Sequence, residues 1–119
     1  MRASFAIDGR MPGLNDYVLR ERSNRFAGAA MKRAQTDRAA AAARGLPAFH
    51  GPVTVSFTWV EKNRRRDPDN VAFAKKFVLD GLVRAGVIEN DSPRYVRGLS
   101  DRFECDPARP RVEVEVASA

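Results

Sequence analysis

The chain has 119 residues, 44% hydrophobic and 30% charged, with a formal net charge of +6 and a sequence pI of about 10.2. That length suits one domain around one core, and the basic balance suits an acidic partner such as nucleic acid. No apolar run approaches a membrane span, no signal-peptide pattern opens the chain, and the single Cys105 cannot form an intramolecular disulfide, so a membrane protein and a disulfide scaffold are set aside in favour of a reducing cytoplasm.

Residues 2 to about 8 alternate, with Ala3, Phe5 and Ile7 on one side, and predict a half-buried strand. Gly9 to Asp16 is a turn-rich loop punctuated by Gly and Pro, and Asn15 or Asp16 is suited to cap the helix behind it. Tyr17 to about Arg44 reads as helix with a break near Ser23-Asn24. Arg20, Arg22, Arg25, Lys32, Arg33 and Arg38 make it strongly basic. Such a face is either simply solvated or a surface for phosphates. Gly45 and Pro47 end it. Val53, Val55, Phe57 and Trp59 then alternate with Thr54, Ser56 and Thr58, which predicts a central strand with one face on the core. His50, the only histidine, has no evident partner for proton transfer.

A helix start follows the Arg64-Arg65-Arg66 run. Asp67 is suited to the N-cap, Pro68 to the first helical position, and Asp69 to the first turn, where the helix dipole favours a carboxylate. Capping alone accounts for each of these residues singly. Read as one helix to Gly86 at about 100° per residue, the segment puts Ala74, Val78, Gly81 and Ala85 on a buried stripe. With Asp69 set at zero, Lys76 and Asp80 each fall within about 20° of it on another stripe, with Lys76 and Asp80 spaced to pair. That second stripe is either a solvated edge or the lining of a cleft.

Val87 to Pro93 is a short apolar step into a polar turn containing Glu89, Asn90 and Asp91. Tyr95 to Cys105 reads as an irregular strand broken at Gly98, and Asp106-Pro107 as a turn. Val112, Val114 and Val116 alternate with Glu113 and Glu115 in a last strand with one wet face. The order strand, helix, strand, helix, strand, strand predicts a two-layer α+β domain, a mixed sheet of about four strands with two main helices on one face.

The chemistry concentrates between Arg64 and Asp91. Two carboxylates about 4 Å apart repel by roughly 4 kcal/mol at an effective dielectric near 20. A site that gathers them holds a proton or a hard cation such as Mg²⁺. A basic track leading into an acidic pocket is what a metal-dependent enzyme acting on nucleic acid needs. No Ser–His pair and no cysteine with a base partner offers covalent catalysis instead.

The ordered set Arg66-Asp67-Pro68-Asp69-Asn70, Lys76-Phe77-Val78-Leu79-Asp80-Gly81-Leu82, Ala85-Gly86 and Asn90-Asp91-Ser92 resembles the RusA family of Holliday-junction resolvases, small endodeoxyribonucleases of bacteria and prophages. Asn15, in Pro-Gly-Leu-Asn, is similar to an N-terminal feature of that family. The likeness from Arg66 to Ser92 covers about a quarter of the chain, and strand placement extends it loosely over nearly all.

The resemblance implies a cytoplasmic homodimer, in a bacterial or phage-infected cell, that uses Mg²⁺ (Mn²⁺ as the alternative ion) to nick opposed strands of a four-way junction in DNA recombination and repair. By position it makes Asp67, Asp69 and Asp91 the metal-binding carboxylates, Lys76 the catalytic or phosphate-contacting lysine, and Asp80 an additional acid. The spacing after Asn70 leaves Lys75 in competition with Lys76. Asn90 stands where some members have a second aspartate, which leaves Glu89 as a substitute acid. Arg64, Arg65, Arg66 and Asn70, with Asn15, Lys32 and Arg33, are the expected DNA contacts. Two other readings compete: a non-catalytic basic nucleic-acid-binding module, and a nuclease of the same fold acting on other branched DNA.

Overall fold

A computed structural model describes residues 1–119. Its elements run β1 (Arg2–Asp8), α1 (Leu14–Ser23), α2 (Arg25–Ala43), β2 (Val53–Glu61), α3 (Pro68–Ala72), α4 (Lys75–Arg84), β3 (Val96–Cys105) and β4 (Arg111–Ser118). The strands form one mixed sheet in the order β1-β4-β2-β3. β2 is parallel to β3 and antiparallel to β4, and β4 is antiparallel to β1. The α+β expectation holds, with the long helices α2 and α4 packed on one face.

Alternation explains the layering. Register sets Ile7 opposite Val112, Phe57 opposite Val114 and Val55 opposite Val116, so one face of the sheet is continuous hydrocarbon. Ala39 and Ala43 of α2 and Phe77, Val78 and Leu82 of α4 complete the core against it. The other face carries Ser4, Ser56, Thr58, Ser100, Glu113 and Glu115 along an open trough of about 660 Å³. None of the predicted site residues lies there.

Two packing devices fix where α4 lies and where it ends. A Cβ on Gly81 would stand 2.6 Å from the Ala39 Cβ and 2.8 Å from the Ala40 backbone nitrogen, so glycine lets α4 close onto α2. Gly86, at φ +76°, stops α4 in a Schellman arrangement: the Val87 N–H donates to the Leu82 carbonyl at 2.9 Å and the Gly86 N–H to Val83 at 3.0 Å. The chain is thereby turned toward Asn90 and Asp91.

Several local expectations change. The helix predicted from Pro68 to Gly86 is two helices. Phe73 and the N-cap Ala74 keep right-handed helical angles. The bonding, however, tightens there from the fourth to the third preceding carbonyl, as in Lys76 N–H to Phe73 and Phe77 N–H to Ala74. The reason is packing: α3 is held on α1 through the Tyr17–Phe73 ring pair at 5.5 Å. The core face of α4 belongs to α2 and the sheet. Asp69 therefore lies in a different helix from Lys76 and Asp80.

The first helix begins at Leu14 with Gly13 as its N-cap. Asp16 does not cap but reaches back to accept the Gly13 N–H at 2.9 Å. The predicted interruption at Asn24 is real, because its side chain accepts the Phe26 N–H at 2.7 Å and caps α2. β3 is continuous, and its irregularity is a register shift in which Val53 pairs with Val96 and Thr54 with Gly98.

Candidate functional site

The best-defined polar cluster centres on Lys76. Its ammonium donates to Asp80 Oδ1 at 3.1 Å, one turn along α4, and to Asp91 Oδ2 at 3.2 Å, in the turn beyond it. The hydrogen bond to Asp80, reinforced by that to Asp91, raises the Lys76 pKa against the opposing effect of burial. The Lys76 hydrogen bond likewise lowers the Asp91 pKa. Lys76 and Asp91 are therefore both ionised at neutral pH.

Asp80, Asn90 and Asp91 form one wall of a cleft of about 440 Å³, and Lys32, Arg33 and Thr36 of α2 form the other. The close α2–α4 approach at Gly81 thus brings cations from α2 opposite Asp80 of α4 and Asp91 of the turn beyond it. A groove so lined can take a phosphate on its basic side while presenting carboxylate and ammonium groups to it.

Lys75 points elsewhere. Its Nζ donates to Asp101 Oδ2 at 2.5 Å and stands 5.7 Å from the Phe57 ring centre. Asp101 Oδ1 also accepts the Trp59 Nε1–H at 2.8 Å. The two lysines are therefore divided, Lys75 tying α4 to the sheet and Lys76 facing the cleft acids. Asp101 was legible only as a polar residue at an inward-facing strand position, between Leu99 and Phe103.

The arginine run is divided as well. Arg66 donates to Glu61 Oε1 at 2.7 Å and to the Met11 carbonyl at 3.1 Å, and lies 3.6 Å from Asp16. It closes the loop between β2 and α3 onto the start of α1. Arg64 and Arg65 are exposed and take part in no ion pair, so their charge faces solvent. Asn15 and Asn70 meet: Asn70 Oδ1 accepts the Asn15 backbone N–H at 2.9 Å. Their contact docks α3 on α1.

Asp67 occupies the N-cap of α3 without a side-chain capping bond, and Asp69 Oδ1 accepts the Asn70 N–H at 2.9 Å. Both are exposed and neither is ion-paired. Glu89 stands apart, 4.0 Å from His50 Nδ1. The donors suit a divalent ion in kind, since Mg²⁺ prefers hard carboxylate oxygens. They do not suit it in position within one chain: no three acidic, histidine or cysteine side chains are gathered closely enough to hold an ion. Asp91 has the Lys76 ammonium beside it instead.

No family model and no curated protein matches the chain. No helix is long and apolar enough to cross a membrane.

Proposed function

We propose that this chain is a metal-dependent endodeoxyribonuclease of the RusA kind. Its substrate would be a four-way DNA junction, nicked in opposed strands during recombination and repair, in the cytoplasm of a bacterial or phage-infected cell. The observation that carries the reading is the cluster of Lys76, Asp80 and Asp91 in a cleft walled by Lys32 and Arg33. These are motif residues from separate parts of the chain, next to the cations a phosphate needs.

The resemblance gives Asp67, Asp69 and Asp91 the role of holding Mg²⁺ or Mn²⁺. They are not gathered around one point in this chain, so the reading requires them to close on the ion, which would supply a water of lowered pKa and offset charge on phosphate oxygens. The chain's own groups do the rest. Lys32 and Arg33 hold a backbone phosphate from the α2 side. Lys76, ionised and half-exposed, stabilises negative charge that develops on the phosphate or on the departing oxygen. Arg64 and Arg65 add backbone contacts that position DNA without reading its sequence. A junction with two-fold symmetry suits a two-fold homodimer, which offers one site to each of two strands.

A second reading, a basic nucleic-acid-binding module, is favoured by one observation: Asp91 is already paired with Lys76 while Asp67 sits at a helix N-cap. A synthetic junction with Mg²⁺ separates the two. The nuclease cleaves it, and Asp69→Asn abolishes cleavage while junction binding persists; the binding module leaves the junction intact.

A further inference from the structure

We propose that Phe26, in the first turn of α2, is a base-stacking contact for branched DNA, taking an unstacked base within about three nucleotides of the phosphate held in the α2–α4 cleft. The inference rests on the proposed reading of that cleft and adds a named contact to it.

α1 buries none of its residues, and the corner where it meets α2 exposes Leu19 and Phe26, at 70% and 66%. A single exposed phenylalanine is ordinary. This one is set among cations. The Arg25 guanidinium carbon stands 4.8 Å from the Phe26 ring centre. Arg20, Arg22 and Arg25 are exposed and take part in no ion pair. The one acid nearby in α1, Glu21, accepts a hydrogen bond from Tyr17 at 2.8 Å.

Those charges select the occupant. An apolar protein surface seated on the ring would desolvate several arginines and leave them without counter-charges. A nucleic acid satisfies both halves at once, with phosphates for the guanidinium groups and a base face for the ring.

The distance to the cleft is short. Phe26 and Arg33 are seven residues apart on α2, about 10 Å along the axis and within about 20° of the same face. Arg33 and Ala29, which lies between them, line the cleft with Asp80 and Asp91. At 3.4 Å per stacked step, about 10 Å is three nucleotides, and fewer where the strand is unstacked. Bases at a branch point lack a stacking neighbour on one side, so they are the least costly to capture, and the contact favours branched over linear DNA.

The test uses a four-way junction carrying 2-aminopurine at the branch point, with binding measured in EDTA so that cleavage plays no part. Phe26→Ala is expected to weaken junction binding about tenfold and to remove the 2-aminopurine response, with linear duplex binding changed less than about twofold. Phe26→Trp is expected to restore both. Circular dichroism should be unchanged, because the ring is exposed. The proposal is overturned if Phe26→Ala binds the junction like the wild type, loses junction and duplex binding equally, or changes the molecular mass in solution, which would make the corner a protein interface. The two readings fail separately. Wild-type protein that binds through Phe26 but never cleaves removes only the nuclease; wild-type protein that cleaves, with Phe26→Ala indistinguishable from it, removes only the stacking contact.

Discussion

Lys76 Nζ stands 3.2 Å from Asp91 Oδ2, although the two residues are fifteen apart in sequence. The Schellman turn at Gly86 makes the contact by directing the chain back along α4. A single ammonium thereby joins the first turn of α4 to the loop beyond its far end, on the wall of a cleft.

Because this pair is partly exposed, it contributes little to folding. Lys76→Met is expected to lower stability by less than about 1 kcal/mol in urea denaturation. Its effect on junction cleavage is expected to be far larger, a loss of about a hundredfold or more, as for removal of a donor aimed at developing charge. Lys75→Met is expected to show the reverse balance. It removes the cation from a part-buried carboxylate that also holds Trp59, so stability falls by about 2 kcal/mol.

The arginine run is expected to separate in the same way. Arg66 is largely covered, and so is its partner Glu61, with side-chain exposures of 15% and 16%. Arg66→Ala should cost about 2 kcal/mol or more by leaving Glu61 uncompensated. Arg64→Ala and Arg65→Ala should leave the melting temperature within about 2 °C of the wild type, since exposed side chains without partners contribute little. Each should reduce the slope of log affinity against log salt by about 0.9 if it contacts one phosphate of duplex DNA.

Much of this arrangement was legible in the sequence. Strict alternation in Val53–Trp59 and Val112–Val116 gave β2 and β4 their faces, because period two has only one solution once a single side is buried. Asn24 marked the helix break through its capping side chain. The division between Lys75 and Lys76 was not legible. Adjacent residues on a helix differ by about 100°, and the phase depends on a tightened turn at Phe73–Ala74 that is imposed by Tyr17 on another helix. Likewise Arg66 looked like its two neighbours. Only the folded chain supplies Glu61, Asp16 and the Met11 carbonyl around it.

Gly81 tests whether helix spacing builds the cleft. Gly81→Val puts side-chain carbon where Ala39 and the Ala40 backbone already stand, so α2 and α4 must separate. A loss of about 1–3 kcal/mol is expected, as for overpacking elsewhere. Junction binding by the folded fraction should weaken too, because Lys32 and Arg33 move away from Asp80 and Asp91.

Asp106 provides a pH signature away from the site. The Arg111 hydrogen bond lowers its pKa, helped by the Arg109 and Ala108 N–H groups and opposed by desolvation. A carboxyl depressed in the folded state stabilises the fold above its unfolded pKa, and that contribution disappears as pH falls through the folded value. Arg111→Gln should therefore raise the Asp106 midpoint in an NMR titration and flatten part of the acid-side loss of stability. Above about pH 6 the slope of stability against pH should be unaltered by this carboxyl, which is ionised in both states there.

Strand cleavage of a synthetic four-way junction by the purified chain, with Mg²⁺ and with EDTA, tests the central claim most directly. The expected result is paired nicks in opposed strands that require the ion and vanish in Asp69→Asn, whose junction binding is kept. An intact junction under all ion conditions, or cleavage that survives in both Asp67→Asn and Asp69→Asn, would contradict the assignment.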